Sequence, residues 1–280
     1  MQPLIINLAP TGMVPTKEQT PYVPLTPEEI FADVSSCIDL GVSMVHLHAR
    51  DLHGRPTEDI RTYQNIISLI RNKHPEVVII TTTSGRIVHD VEKRASTLYL
   101  EEQYKPDMAS LTLGSMNFSK EASVNSPQTI LRLAEIMKER GIKPELEVFD
   151  LGMIHFAKIL IEKNLIEAPY YFNILLGNPG TAQLNLLHLA TIVNDLPPHS
   201  IWSLGGIGRF QLKANALGII MGNGVRVGLE DNLWLTDERT QLARNTQLVE
   251  RITEQANILG RPIATARQTR QQLGLLPASE

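Results

Sequence analysis

The chain has 280 residues, 42% of them hydrophobic, enough to bury one large core, and closed α/β barrels commonly fit in about 250 residues. A formal charge of −4 with no basic stripe argues against nucleic acid or an anionic membrane as partner, and a single cysteine, Cys37, excludes a disulfide framework or a cysteine-rich zinc cluster. No apolar run approaches the ~20 residues of a membrane span, and no basic region with a cleavage site precedes the first apolar run, so a cytoplasmic protein is expected.

Along the chain, short apolar runs alternate with longer amphipathic ones. Leu4–Leu8 predicts a first strand, followed by a long proline-rich loop over 10–26. Thr26, Pro27 and Glu29 form a helix start with a capping box, and Pro27–Leu40 predicts a helix whose apolar pattern takes in Cys37 as core. Further strands are predicted at Ser43–His48, Val77–Thr82, Met108–Thr112, Glu145–Phe149, Tyr170–Leu176, Ser200–Leu204 and Gly224–Val227. Helical patterns fall near Ile60–Asn72, Val91–Tyr99, Pro127–Arg140, Met153–Asn164, Gln183–Asn194, Arg209–Ile220 and Thr240–Leu259. Eight strand–helix units without a composition break predict a (β/α)8 TIM barrel formed as one domain by residues 1–280. The loop over 10–26 follows a strand, so it is expected at the active-site face.

His46 and His48 close the second predicted strand. Alternation points both imidazoles the same way, roughly 6–7 Å apart along the strand, where they can converge on one metal. Such pairs are also common as surface or hydrogen-bonded histidines. The eighth predicted strand leads to Arg226, Glu230 and Asp231, and closure of a barrel brings it one strand away from the pair. A His/His/Glu set with an open fourth position is a catalytic zinc arrangement, whereas an acidic turn or N-cap is the plainer role for Glu230 and Asp231. Thr82, Ser84, Ser110 and Thr112 place hydroxyls at the ends of strands three and four, suited to a carboxylate or carbonyl. Glu145 and Glu147 share one face of strand five, and an inward carboxylate there requires a partner such as Arg226 or the metal. Gly205-Gly206-Ile207-Gly208-Arg209 after strand seven is similar to the phosphate-binding turns of barrels.

The combination Thr11-Gly12, Pro24-x-Thr26-Pro27-Glu28-Glu29, His46-x-His48-x-Arg50, Gly54-Arg55-Pro56, Pro144-Glu145-x-Glu147, Gly205-Gly206-Ile207-Gly208-Arg209 and Arg226-x-Gly228-x-Glu230-Asp231-Asn232 resembles the β-keto acid cleavage enzyme family over essentially the whole chain. The resemblance implies a zinc-dependent barrel, a homotetramer in most relatives. It also implies an acyltransferase that converts a β-keto acid and acetyl-CoA into acetoacetate and a new acyl-CoA. It makes His46, His48 and Glu230 the zinc ligands, Asp231 the base, Arg226 its ion-pair partner and Glu147 a site carboxylate. Thr82 and Ser110 then stand where relatives bind substrate through hydroxyls, with Ser84 and Thr112 beside them. Arg209, Gly206 and Gly208 are the candidates for the CoA phosphates. Relatives acting on an amino-substituted keto acid carry a carboxylate at the position of Val14, so a cationic substrate is not expected, and they carry glycine at that of Ser84, which implies a different substrate shape. A carboxylate beside zinc and Arg226 is expected to titrate low, so proton abstraction by Asp231 relies on a substrate acidified by the metal. The alternatives are an amidohydrolase-like zinc hydrolase, which requires further histidines on later strands, and a barrel that binds CoA or a keto acid without turnover.

Overall fold

The computed structural model describes residues 2–277. Eight parallel strands close on themselves: β1 (Ile5–Leu8), β2 (Met44–Leu47), β3 (Val78–Thr81), β4 (Met108–Thr112), β5 (Lys143–Val148), β6 (Tyr170–Leu176), β7 (Ser200–Gly206) and β8 (Gly224–Val227). β8 pairs with β1 in the register Asn7↔Arg226, and β1 pairs with β2 through Asn7↔Met44, which completes the barrel. Every predicted strand is present, with ends displaced by at most two residues. The helices are α1 (Pro27–Asp39), α2 (Ile60–Lys73), α3 (Val91–Arg94), α4 (Pro127–Arg140), α5 (Leu151–Glu162), α6 (Leu186–Asp195), α7 (Gln211–Met221), α8 (Asn245–Ile258) and α9 (Ala266–Leu273). Among them, none is long and apolar enough to cross a membrane. α1 starts as its sequence requires: Thr26 Oγ1 accepts from the Glu29 N–H, and Glu29 returns a carboxylate to the Thr26 and Leu25 N–H groups.

Two differences from the sequence expectations have local causes. The predicted helix over Val91–Tyr99 is a single α-turn followed by a 3-10 turn at Ser96–Tyr99. There the Ser96 and Thr97 hydroxyls bond outward, to Glu58 O and Thr81 Oγ1. The second difference is α9, which no apolar periodicity announces because its buried residues are Thr269, Arg270 and Leu273.

Strand alternation sorts the barrel interior into tiers. Ile5, Met44, Val78, Ile80, Met108 and Tyr171 form an apolar floor, closed from below by Ala264 and Leu273. The segment before α9 is held by the Leu4 N–H donating to Pro262 O and the Ala264 N–H donating to Leu4 O. Above the floor the inward residues become polar, at Asn7, Glu145, Asn173 and Ser203. Above these, His46, Glu147 and Arg226 face the mouth at the C-terminal strand ends. Larger apolar clusters between strands and helices, around Leu111, Phe172 and Leu204 and around Leu8, Leu47 and Val227, supply the main hydrophobic drive.

Candidate active site

The mouth encloses a cavity of about 320 Å³, lined by His46, His48, Glu147, Arg226, Glu230 and Asp231 at its base. β2 delivers the two imidazoles: His46 Nε2 lies 3.2 Å from His48 Nε2, and His48 Nε2 lies 3.3 Å from Glu230 Oε1. One ligand-competent atom from each of the three residues lies within 4.8 Å of the others. Zinc–nitrogen bonds of 2.0–2.1 Å give a tetrahedron with edges of about 3.3 Å, so the observed spacings match two edges of that figure. Glu230 also keeps its second oxygen, Oε2, buried without a hydrogen-bond partner. Two imidazoles, one carboxylate and spare acceptor capacity facing a cavity fit a divalent transition metal with an open position.

Glu230 is placed by close backbone approach between the ends of β8 and β1. Gly228 has φ +150°, and a Cβ there would meet Ala9 O at 2.1 Å. Gly12, with φ +63°, leaves room for the Glu230 side chain, whose Cγ would lie 2.5 Å from an added Cβ. Arg50, buried two residues after His48, clamps the proline-rich loop: Nε and Nη2 donate to Gly12 O at 2.9 and 2.6 Å, and Nη2 also donates to Pro15 O at 3.1 Å. The loop thereby presents Met13, Val14 and Pro15 as an apolar wall of the cavity.

Arg226 organises the carboxylates. Its Nε donates to Asp231 Oδ2 at 2.8 Å and its Nη2 to Glu230 Oε1 at 2.7 Å, while Nη1 faces Glu147 Oε1 at 3.5 Å. Thr112 Oγ1 donates to Glu147 Oε2 at 2.6 Å. Burial alone would raise Glu230, but Arg226 and the two histidines outweigh it and hold its carboxyl well below the usual range. Burial lowers His48 in spite of Glu230, which favours the neutral imidazole a metal requires. Among the protein's own groups, burial first and then repulsion from Glu230 raise the Asp231 carboxyl despite Arg226. Burial likewise raises Glu147 against Arg226.

Thr82, Ser84, Thr112, Val14 and Gly208 line the cavity as the sequence indicates, but Ser110, Gly206 and Arg209 do not. Ser110 is buried, its Oγ accepting from the Thr83 N–H while Thr83 Oγ1 donates to Ser110 O. It therefore braces the loop after β3 instead of facing a substrate. Arg94 braces the same loop through Thr83 O and Asn125 Oδ1. In the turn after β7, the Ile207 N–H donates to Leu176 O and the Gly208 N–H to Asp231 O, so these two groups are not free to cradle a phosphate. Arg209 is exposed and lies over the Phe210 ring, whereas Arg239, reached by the chain after Trp234, lines the mouth beside Gly208. Sequence reasoning missed Arg239 and gave Arg50 no task. It also missed Asn7 and Asn173, single polar residues inside apolar strands whose alternation points inward. His46 and His48 are the histidines among the described residues that line the cavity, so the additional histidines of a hydrolase site do not appear there.

The family model for beta-keto acid cleavage enzyme matches residues 3–275. The chain belongs to the beta-keto acid cleavage enzyme family. It is 39% identical over 277 residues to a 3-keto-5-aminohexanoate cleavage enzyme of Fusobacterium nucleatum, covering 98% of this chain and 99% of that one. It is 34% identical to a 3-oxoadipate:acetyl-CoA acetyltransferase of Cupriavidus necator, covering 98% of this chain and 95% of the relative. Among solved structures, the apo structure of ObcA shares the fold at a TM-score of 0.81 and 23% identity, over 91% of this chain and 66% of that protein's length.

Proposed function

We propose that this family member is a zinc-dependent acyltransferase that converts a non-cationic β-keto acid and acetyl-CoA into acetoacetate and a new acyl-CoA. The observation that carries the reading is the convergence of His46, His48 and Glu230 beside an Asp231–Arg226 pair at the mouth of the cavity. Bound there, zinc supplies Lewis acidity that polarises the ketone and lowers the acidity barrier of the adjacent carbon.

The protein's own groups do the rest. Asp231 accepts the proton from the carbon between ketone and carboxylate, and Arg226 holds Asp231 in place through its Nε–H. The carbanion attacks the acetyl-CoA thioester carbonyl, and the CoA thiolate leaves. The thiolate then adds to the original ketone carbon, the bond between that carbon and its neighbour breaks, and acyl-CoA forms. Acetoacetate leaves as its enolate and recovers the proton from Asp231, so charge and atoms balance. Thr82 and Ser84, whose hydroxyls accept from backbone N–H groups, keep their own protons for a substrate oxygen, whereas Thr112 gives its proton to Glu147. Arg239 replaces Arg209, Gly206 and Gly208 as the candidate for the phosphate end of CoA, because its guanidinium is at the mouth. Val14 lines the wall with a methyl-bearing surface, which gives a substrate ammonium no carboxylate partner at that position.

The direct test is incubation with zinc, acetyl-CoA and neutral, acidic and basic β-keto acids, with acetoacetate as the readout. Acetoacetate from neutral or acidic substrates is expected, with basic ones poorest. Silence across the panel would remove the assignment, and a preference for basic substrates would remove the role given to Val14.

A further inference from the structure

Glu145 lies one turn of alternation below Glu147 on β5, has no exposed surface, and takes no part in the chemistry above. A carboxylate in such a place is tolerated only when donors surround it. Here Asn7 Nδ2 donates to Oε1 at 2.8 Å, Asn173 Nδ2 donates to the same oxygen at 3.0 Å, and His46 Nδ1 lies 2.7 Å from Oε2. Both asparagines leave their own Oδ1 buried without a partner. The tier is thus built to present donors to Glu145 at the expense of its other hydrogen bonds, and Glu145 in turn presents an acceptor to His46. Although Glu145, Glu147 and His46 lie close enough to form a second ligand set, both oxygens of Glu145 are already engaged.

We propose that Glu145 is a positioning residue for His46, fixing the imidazole proton on Nδ1 and turning the Nε2 lone pair toward His48 and Glu230. This rests on the zinc reading of those three residues. A neutral imidazole free in water carries its proton mainly on Nε2, the nitrogen that must be bare to bind metal, so an acceptor at Nδ1 selects the competent tautomer. The same contact sets the ring plane, because β2 fixes the His46 backbone and Glu145 reaches it from β5 across the interior. Asn7 and Asn173 then act one step further out, holding the carboxylate in line.

Glu145→Gln keeps the volume and removes the charge. Zinc affinity, measured by competition with a chromophoric chelator on the purified full chain, is expected to weaken by about 10–100-fold, with far-UV dichroism unchanged and activity largely recovered at saturating zinc. Affinity within twofold of wild type overturns the proposal. If the variant does not fold, long-range proton–nitrogen spectra of the wild-type zinc form decide instead. A proton on His46 Nδ1 with metal on Nε2 supports the role, and the reverse overturns it. Wild-type protein that binds no zinc at this triad overturns the zinc reading itself, whereas tight wild-type binding with an unaffected Glu145→Gln overturns the inference alone.

Discussion

The floor and the mouth of this barrel are made by the same eight strands, yet they are built on opposite principles. At the floor, Ile5, Met44, Val78, Ile80 and Met108 interdigitate and Leu273 closes the layer from outside. At the mouth, Arg226 is almost fully buried among Glu147, Glu230 and Asp231, with two histidines alongside. The floor gains stability from each buried methylene, whereas a cluster of buried ions contributes little net stability and holds its groups in fixed geometry. The teaching is that one closed sheet can keep charged groups out of water at one end because it is packed like an organic crystal at the other.

Substitutions at the two ends sharpen this contrast. Asp231→Asn is expected to lower kcat by about 10²–10⁴-fold, the usual range for loss of a general base, while zinc content and thermal midpoint stay near wild type. The stability half follows because burial already disfavours the charged Asp231 and Arg226 retains Glu230. Steady-state kinetics and calorimetry check both halves, and a large drop in midpoint would break the comparison. Leu273→Ala at the floor should do the reverse, costing about 2–4 kcal/mol in denaturant unfolding with kcat/KM of the folded protein unchanged.

Smaller effects probe the ground between the two ends. Burial raises the Asp33 carboxyl from 3.8 to about 6, against the hydrogen bond donated by Asn245. A carboxyl raised on folding contributes stability below its unfolded value and loses it as pH rises through the folded one. Asp33→Asn should therefore gain about 1–3 kcal/mol over wild type near pH 7 and nothing near pH 3, as followed by melting across that window. Arg239→Ala is expected to raise the KM for acetyl-CoA severalfold, about 1 kcal/mol, with kcat nearly unchanged. Unaltered acetyl-CoA kinetics would return the phosphate contact to other residues at the mouth.

The strands were legible because each is a short apolar run bounded by turns, and their number pointed to closure. The clustering of His46, His48 and Glu230 was legible because the histidines share a strand face and the Glu230–Asp231 pair follows a strand end. What remained hidden depends on contacts across the barrel. Glu145 meets His46 over a separation of 99 residues, and which inward carboxylate meets which cation is decided by register and height in the closed interior. α9 stayed hidden for a different reason, since a helix that buries Thr269 and Arg270 carries no apolar stripe. The turn after β7 read as a phosphate cradle because glycines suggest free N–H groups. The fold uses those of Ile207 and Gly208 to tie β7 to β6 and to Asp231.

Zinc content tests the central claim most directly. Wild-type protein should hold one zinc per chain and form acetoacetate. The His46→Ala/His48→Ala double variant should hold none and form none, yet unfold cooperatively with its barrel intact, because the floor and outer clusters carry the fold. Stoichiometric zinc retained by the double variant would contradict the account.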